Sequence, residues 1–387
     1  MGLQQKLEAA VRDRDLPFVV ALVADRDGTL FSGAAGDAGP GSKADEDTIF
    51  RLFSMTKAVC ATGLMMLVER GLADLDMAVE DVVPEFSKLR VLDRFEDAVP
   101  VLRQPKSKPT IRQLATHSSG LEYELWNDRV AEYMEKTGHQ SVITGTRASL
   151  HYPLMSDPGT RWAYGPGVDW LGLVIEAIDG RPIVEFCQEE IFEPLAMTTT
   201  RFELAPEDHE HLSTVVMRGE HGAFDPIEVK PPSNPEVYAM GQALYGSASD
   251  YMRLLRMFLG AGALDGKRLL SPGATATMLA DHLAGLRFAP MTTCSPMSAD
   301  FDPMPDAVLG HSLGFVRNEH DIAGRRSAGS QGWAGLLNSH YWFDPGQGIA
   351  GLFMTQMLPF ADPRYMRCYA EFEAAVYAAY RGADSAM

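Results

Sequence analysis

The apolar positions change texture along the chain. Residues 17–24, PFVVALVA, are an unbroken apolar run of strand length, ADRDG interrupts it, and TLFSGAAG follows. That pattern predicts a buried strand, a turn and a return strand. Thr48 to Phe53 predicts another short strand. From Ser54 to Gly71 the texture is helical: Met55, Val59, Ala61, Leu64, Met65, Met66 and Leu67 cover every face. A helix apolar all round is a buried helix, and Gly71 suits its C-cap. Near the C-terminus SLGFVRN, GLLNSHYWF and GIAGLFMTQM predict strands, with DPGQG turning between the last two. Pro363 to Tyr380 predicts a closing amphipathic helix, and MGLQQKLEAAVRDRD an opening one. Strands joined by short hairpins imply an antiparallel sheet with the terminal helices on its faces, an α+β fold.

The middle of the chain differs. Residues 76–245 carry mainly helical signals, such as IRQLATHSSG, WLGLVIEAIDG and IVEFCQEEIFEPLAM, between polar loops. Pro and Gly clusters at Pro105 to Pro109, Pro153 to Gly159 and Pro231 to Pro235 mark those loops. The expected organisation is a discontinuous sheet domain, 1–75 and 246–387, with a mainly helical domain, 76–245, inserted. The cleft between two such domains is the expected active site.

Composition narrows the functions. At 387 residues, 46% hydrophobic and 22% charged, the chain has the balance of an ordinary globular protein. Its net charge of −18 argues against nucleic acid and anionic membrane as partners, because both reward basic patches. Cys60, Cys187, Cys294 and Cys368 are far apart and show no zinc spacing. No metal or organic cofactor is implied. The N-terminus lacks the apolar core of a signal peptide and no run approaches membrane-spanning length, so a cytoplasmic location is expected.

Within the apolar helix, Lys57 is the anomaly. Ser54-Met55-Thr56-Lys57 places a hydroxyl and an amine three residues apart on one helical face. A serine is a weak nucleophile until a neighbouring base takes its proton. A lysine in such a helix must be paired or must release its proton more readily than at its usual value of about 10.4. Burial and the positive end of a helix both act in that direction. The helix start also offers the Ser54 N–H as an oxyanion donor. These four residues alone also fit an N-cap serine and a lysine reaching solvent from the first turn. Tyr164, in a loop just before WLGLVIEAIDG, fits either a proton relay or a buried aromatic that docks the helix. Gly332, Ala334 and Gly335 open an apolar strand, where glycine marks either close approach of a ligand or backbone, or a bulge. His117, before Ser-Ser-Gly, is better read as organising its turn. His311 and His340 lack a carboxylate to orient them, and the chain lacks Gly-x-Ser-x-Gly.

Taken together, FSMTKAVCATGLMMLVERGLADLD, IRQLATHSSGL, WAYGPGVDWLGLVIEAIDG, IFEPLAMTTT, LYGSASDYMRLLRMFLG and GWAGLLNSHYWFDPGQGIAGLFMTQ resemble the serine β-lactamase and penicillin-binding-protein-like superfamily. The resemblance spans about residues 15–380 and most resembles class C β-lactamases and, among them, family VIII carboxylesterases. It implies the β-lactamase/transpeptidase-like fold. It implies Ser54 as the acyl-forming nucleophile and Lys57 coupled to Tyr164 as general base and acid, either one being the primary base. The oxyanion hole would be the N–H groups of Ser54 and Leu336. Trp333, Ala334, Gly335 and Tyr123 would contact substrate. Two departures matter. Tyr164-Gly165-Pro166 stands where β-lactamases have Tyr-x-Asn, and Trp333-Ala334-Gly335 replaces Lys-Thr-Gly. The absent lysine would have met a substrate carboxylate, a contact contributing roughly 1.5–3 kcal/mol. The first expectation is therefore a carboxylesterase acting on small, short-chain neutral esters, with weak side activity on cephalosporins. A β-lactamase or D,D-peptidase and an acyltransferase of the lovastatin type would use the same site. A non-catalytic, penicillin-binding-like sensor is the alternative from another class.

Overall fold

The first apolar run forms the strand Phe18–Ala24, buried at all seven positions. Such a strand needs cover on both faces, and the fold provides it. The computed structural model describes residues 1–305 and 307–380. Phe18–Ala24 lies inside an eight-stranded sheet whose strands run in the order Leu309–His311, Val316–Asn318, Gln331–Gly335, Ser339–Asp344, Ile349–Met354, Phe18–Ala24, Thr29–Gly39 and Ser42–Lys43. Every neighbouring pair is antiparallel. The two ends of the chain meet at one seam, where Val20 faces Met354 and Leu22 faces Leu352.

Period-two alternation then sorts the side chains. Val19, Ala21 and Val23 join Trp342 and Phe353 beneath the terminal helices Leu3–Arg12 and Pro363–Tyr380. Phe18, Val20, Leu22 and Ala24 face the larger core, which includes the helices Thr56–Glu69 and Ala248–Leu259. Burying each of these large apolar side chains contributes roughly 1.5–3 kcal/mol before chain entropy is counted. The C-terminal helix is also tied down by charge. Glu373, fully buried, accepts from Arg326 at 2.8 and 3.0 Å and from Arg325 at 2.8 and 2.9 Å.

Three expectations change in detail. GLLNSHYWF is not one strand: Gly335 ends one, Leu336 to Asn338 turn, and Ser339–Asp344 returns. Asn338 takes a φ of 61°, the left-handed conformation that asparagine tolerates in tight turns. SLGFVRN likewise divides, with Gly314 at φ 90° in the turn and only Val316–Asn318 extended. The middle region is less helical than its signals. Val91–Glu96 and Val99–Arg103 form a hairpin, and Val216–Arg218 pairs with Phe224–Pro226. The Asp97-Ala98 turn of the first hairpin has both φ angles positive, 47° and 68°, which matches the right-handed twist of its strands.

The Ser54 region also changes. The strand is only Ile49–Arg51, paired with Tyr245–Ser247. A single 3₁₀ turn, Phe53–Met55, follows, and the α-helix begins at Thr56. Its residues Thr56 to Leu67 are all buried. It ends as the sequence predicts: Gly71 has φ 71°, its N–H donates to Val68, and Leu72 N–H donates to Leu67.

Candidate active site

Ser54 owes its exposure to that 3₁₀ turn. Phe53 carries a φ of 45°, a strained angle for a bulky residue, and so swings the next side chain out of the core. The surroundings hold the turn in place. Leu52 N–H donates to the Leu244 carbonyl at 2.9 Å, and Tyr251 Oη donates to the Met55 carbonyl at 2.9 Å. From the other side the strand Gln331–Gly335 passes so near that a Cβ on Gly335 would stand 2.4 Å from the Leu52 carbonyl oxygen. The small residue in Trp-Ala-Gly thus serves backbone approach. Side chains three residues apart eclipse in a 3₁₀ turn, and Lys57 Nζ donates to Ser54 Oγ at 3.1 Å.

Tyr164 arrives from the opposite wall. Its Oη donates to Ser54 Oγ at 2.6 Å and accepts from Trp333 Nε1 at 3.2 Å. Lys57 Nζ lies 5.0 Å from its ring centroid. Ser54, Lys57, Tyr164 and Trp333 therefore converge. Whichever of Lys57 and Tyr164 has released its own proton is within reach of the serine's. Trp333, Ala334 and Leu336 line the same cavity as Ser54, and Gly335 forms its back by closely approaching Leu52 before the Ser54 turn.

Tyr123 has a second position in the site. It lines the cavity, but its hydroxyl lies 3.3 Å from Lys57 Nζ, as an acceptor. Burial, then the charge of Asp169, pushes this phenol well above its ordinary value, so it stays protonated. Lys57 is itself buried, and its third contact is the Gly241 carbonyl at 2.8 Å. Gly241 N–H in turn donates to Asp169, a fully buried carboxyl. Sequence reasoning passed over Gly241 and Asp169. The available signal was an aspartate in the first turn of the helix Gly167–Asp179, amid the apolar run Val168 to Ile175.

His117 stands behind Tyr164, ring centroids 4.8 Å apart, and accepts from Gly165 N–H at 3.4 Å. Burial, and then His311, holds its pKa well below the ordinary value. It braces the loop. His311 bonds to the Ser312 carbonyl and His340 to Tyr365. Burial pushes them down to about 4 and about 3 respectively.

The cavity above Ser54 has a volume of about 300 Å³. Its walls are mainly apolar: Phe53, Trp126, Val142, Met291, Met297, Leu336 and Phe360. Glu124, Ser141 and Gln242 add polar groups, and among the described residues no lysine or arginine lines it.

An antiparallel sheet backed by terminal helices, with a buried helix opening on a serine and a lysine, is the β-lactamase/transpeptidase-like fold. The chain belongs to the Beta-lactamase family, whose model matches residues 3–375. It is 30% identical over 407 residues to the monacolin J acid methylbutanoyltransferase of Aspergillus terreus, covering 98% of this chain and 96% of that protein. It is 28% identical over 342 residues to the lovastatin esterase of Penicillium rubens, covering 80% of each. Among solved structures it resembles a mutant of the simvastatin synthase of Aspergillus terreus, with a TM-score of 0.86, 27% identity and coverage of 98% and 97%. Transferases thus stand beside an esterase among its relatives.

Proposed function

We propose that this chain is a serine acyl-transfer enzyme that takes an acyl group from a small, neutral, apolar ester and passes it to an alcohol, with water as the competing acceptor. The observation that carries the reading is Ser54 Oγ held between Tyr164 Oη at 2.6 Å and Lys57 Nζ at 3.1 Å, under an apolar cavity. Ser54 attacks the ester carbonyl and gives its proton to the Lys57–Tyr164 pair. The tetrahedral oxyanion rests between the N–H groups of Ser54 and Leu336. Collapse expels the leaving alcohol, which Tyr164 protonates. The second half runs the same steps with the incoming hydroxyl. Apolar walls favour an alcohol over water at that stage, and the relatives named as transferases support it. Trp333 in place of a lysine, in a cavity without a lining cation among the described residues, supports neutral esters over β-lactams. The four cysteines are unpaired, which suits a reducing compartment, and we place the protein in the cytoplasm. No helix among the described residues is long and apolar enough to cross a membrane.

The test is p-nitrophenyl butyrate with and without a bulky apolar alcohol, with products quantified and adducts mapped by mass spectrometry. The expected result is a butyryl adduct on the Ser54 peptide and an alkyl butyrate that grows with alcohol concentration. Butyrate as sole product at every alcohol concentration would make the enzyme a hydrolase. Turnover without a Ser54 adduct would remove the mechanism.

A further inference from the structure

Lys57 is held from behind through one glycine. Its Nζ donates to the Gly241 carbonyl at 2.8 Å, and the N–H of the same residue donates to Asp169 Oδ1 at 2.6 Å. A Cβ on Gly241 would stand 2.6 Å from Asp169 Oδ1, 3.0 Å from Tyr123 Oη and 3.1 Å from Lys57 Nζ. The three side chains therefore close on a position that accepts only glycine. Asp169 is fully buried in the first turn of its helix, where the helix start favours a carboxylate. Its Oδ2 has no hydrogen-bond partner among the described residues. A buried carboxyl with an unmet oxygen costs stability, and an apolar residue would remove that cost. Packing alone therefore does not account for Asp169.

We propose that Asp169 is a positioning residue for acyl transfer: by clamping Gly241 it keeps the Lys57 amine on Ser54. The inference rests on the roles of Ser54 and Lys57 given above. The other titratable groups around Lys57 are Tyr123 and Tyr164 from the facing loops, His117 behind Tyr164, and Cys60 on the lysine's own helix. Burial keeps Tyr123 and Cys60 protonated and His117 neutral near neutral pH. Asp169, pushed up to about 6 by burial against the pull of Lys57, is ionised above that value.

The experiment compares Asp169→Ala and Asp169→Asn with wild type on p-nitrophenyl butyrate from about pH 5 to pH 9, with active sites counted by the p-nitrophenolate burst. Asp169→Ala should lower kcat per active site at least about tenfold with little change in KM. Asp169→Asn retains an acceptor for Gly241 N–H and should recover most of that loss. In both, the step that Asp169 itself gives kcat/KM as it ionises at about 6 should disappear, which shifts the acid limb. Unchanged kcat and an unmoved acid limb in Asp169→Ala would overturn the proposal. If that variant does not fold, an unmoved limb in Asp169→Asn does so. A purely structural role would reduce the burst without shifting the limb. A wild type that never acylates at Ser54 would instead refute the proposed function, so the two failures are distinct.

Discussion

Among the described residues two basic side chains of lysine or arginine are buried, and they are treated in opposite ways. Arg326, 4% exposed, meets Glu373 through two hydrogen bonds and donates to Tyr369 Oη at 2.7 Å. Its charge is cancelled where it stands. Lys57, 1% exposed, has among the described residues neutral direct partners: Ser54 Oγ, Tyr123 Oη and the Gly241 carbonyl. The Asp169 carboxyl is set one residue back. A buried ion pair is costly to break but chemically inert. A buried lysine held by neutral groups keeps its amine on a hydroxyl instead of on a carboxylate. The first arrangement fastens the C-terminal helix, and the second surrounds Ser54, the proposed nucleophile.

The largest effect should come from the unpaired side. Lys57→Ala should lower kcat by several orders of magnitude, as should Ser54→Ala, because members of such a unit act together. Steady-state kinetics on p-nitrophenyl butyrate, beside an unchanged circular dichroism spectrum, checks both. Near-normal kcat in Lys57→Ala would mean the two cations do not differ in kind. Tyr164→Phe removes the hydroxyl 2.6 Å from Ser54 and should lower kcat by about 10²- to 10⁴-fold. A change confined to KM would make Tyr164 a binding residue.

The paired side should respond in stability alone. Glu373→Ala leaves Arg325 and Arg326 facing an empty carboxylate site and should cost about 3–5 kcal/mol, read by denaturant titration. The kcat of the folded fraction should not move. Loss of activity in step with intact fold would erase the contrast. The pH dependence follows in sign. Burial acts to raise the Glu373 pKa, but the two arginines outweigh it and hold the carboxyl below its ordinary 4.5. Its contribution is therefore full above about 4.5 and is lost as pH falls through the lower, folded value. Asp169 runs the other way: raised to about 6, it weakens the fold as pH climbs from 3.8 to that value. Melting curves across this range should show the Glu373→Gln variant losing the acid-side slope that wild type has.

Much of this contrast was legible in the sequence on the catalytic side and little of it on the structural side. Ser54 and Lys57 stand three residues apart, and local spacing alone brings them together. The closing helix is likewise local and spans Pro363–Tyr380 as its periodicity predicts. Tyr164 and Trp333 are 169 positions apart, and only the resemblance of whole segments suggested that they meet. The Arg326–Glu373 pair has no local signature, since an arginine in a loop and a glutamate in an amphipathic helix both look solvent-facing. Asp169 was passed over, since an aspartate in a helix's first turn is ordinary, and its partner Gly241 sits 72 residues on, in a turn without periodicity. The hairpin Val91–Glu96 with Val99–Arg103 was hidden by its charged residues, because an exposed hairpin alternates too weakly to outweigh neighbouring helical signals.

The smallest effect concerns Trp333, which stands where the resemblance places the lysine of the β-lactamase Lys-Thr-Gly motif. Its indole N–H donates to Tyr164 Oη at 3.2 Å, and the two rings lie 4.9 Å apart. Trp333→Phe keeps an aromatic wall and removes the donor. One neutral hydrogen bond is worth about 0.5–1.5 kcal/mol, so kcat should fall about 2- to 10-fold while KM holds. That outcome would make Trp333 part of the network that aims Tyr164. A rise in KM with kcat intact would make it a wall for the acyl group only. No effect on either would leave Tyr164 oriented by the His117 loop, without a part for the indole donor.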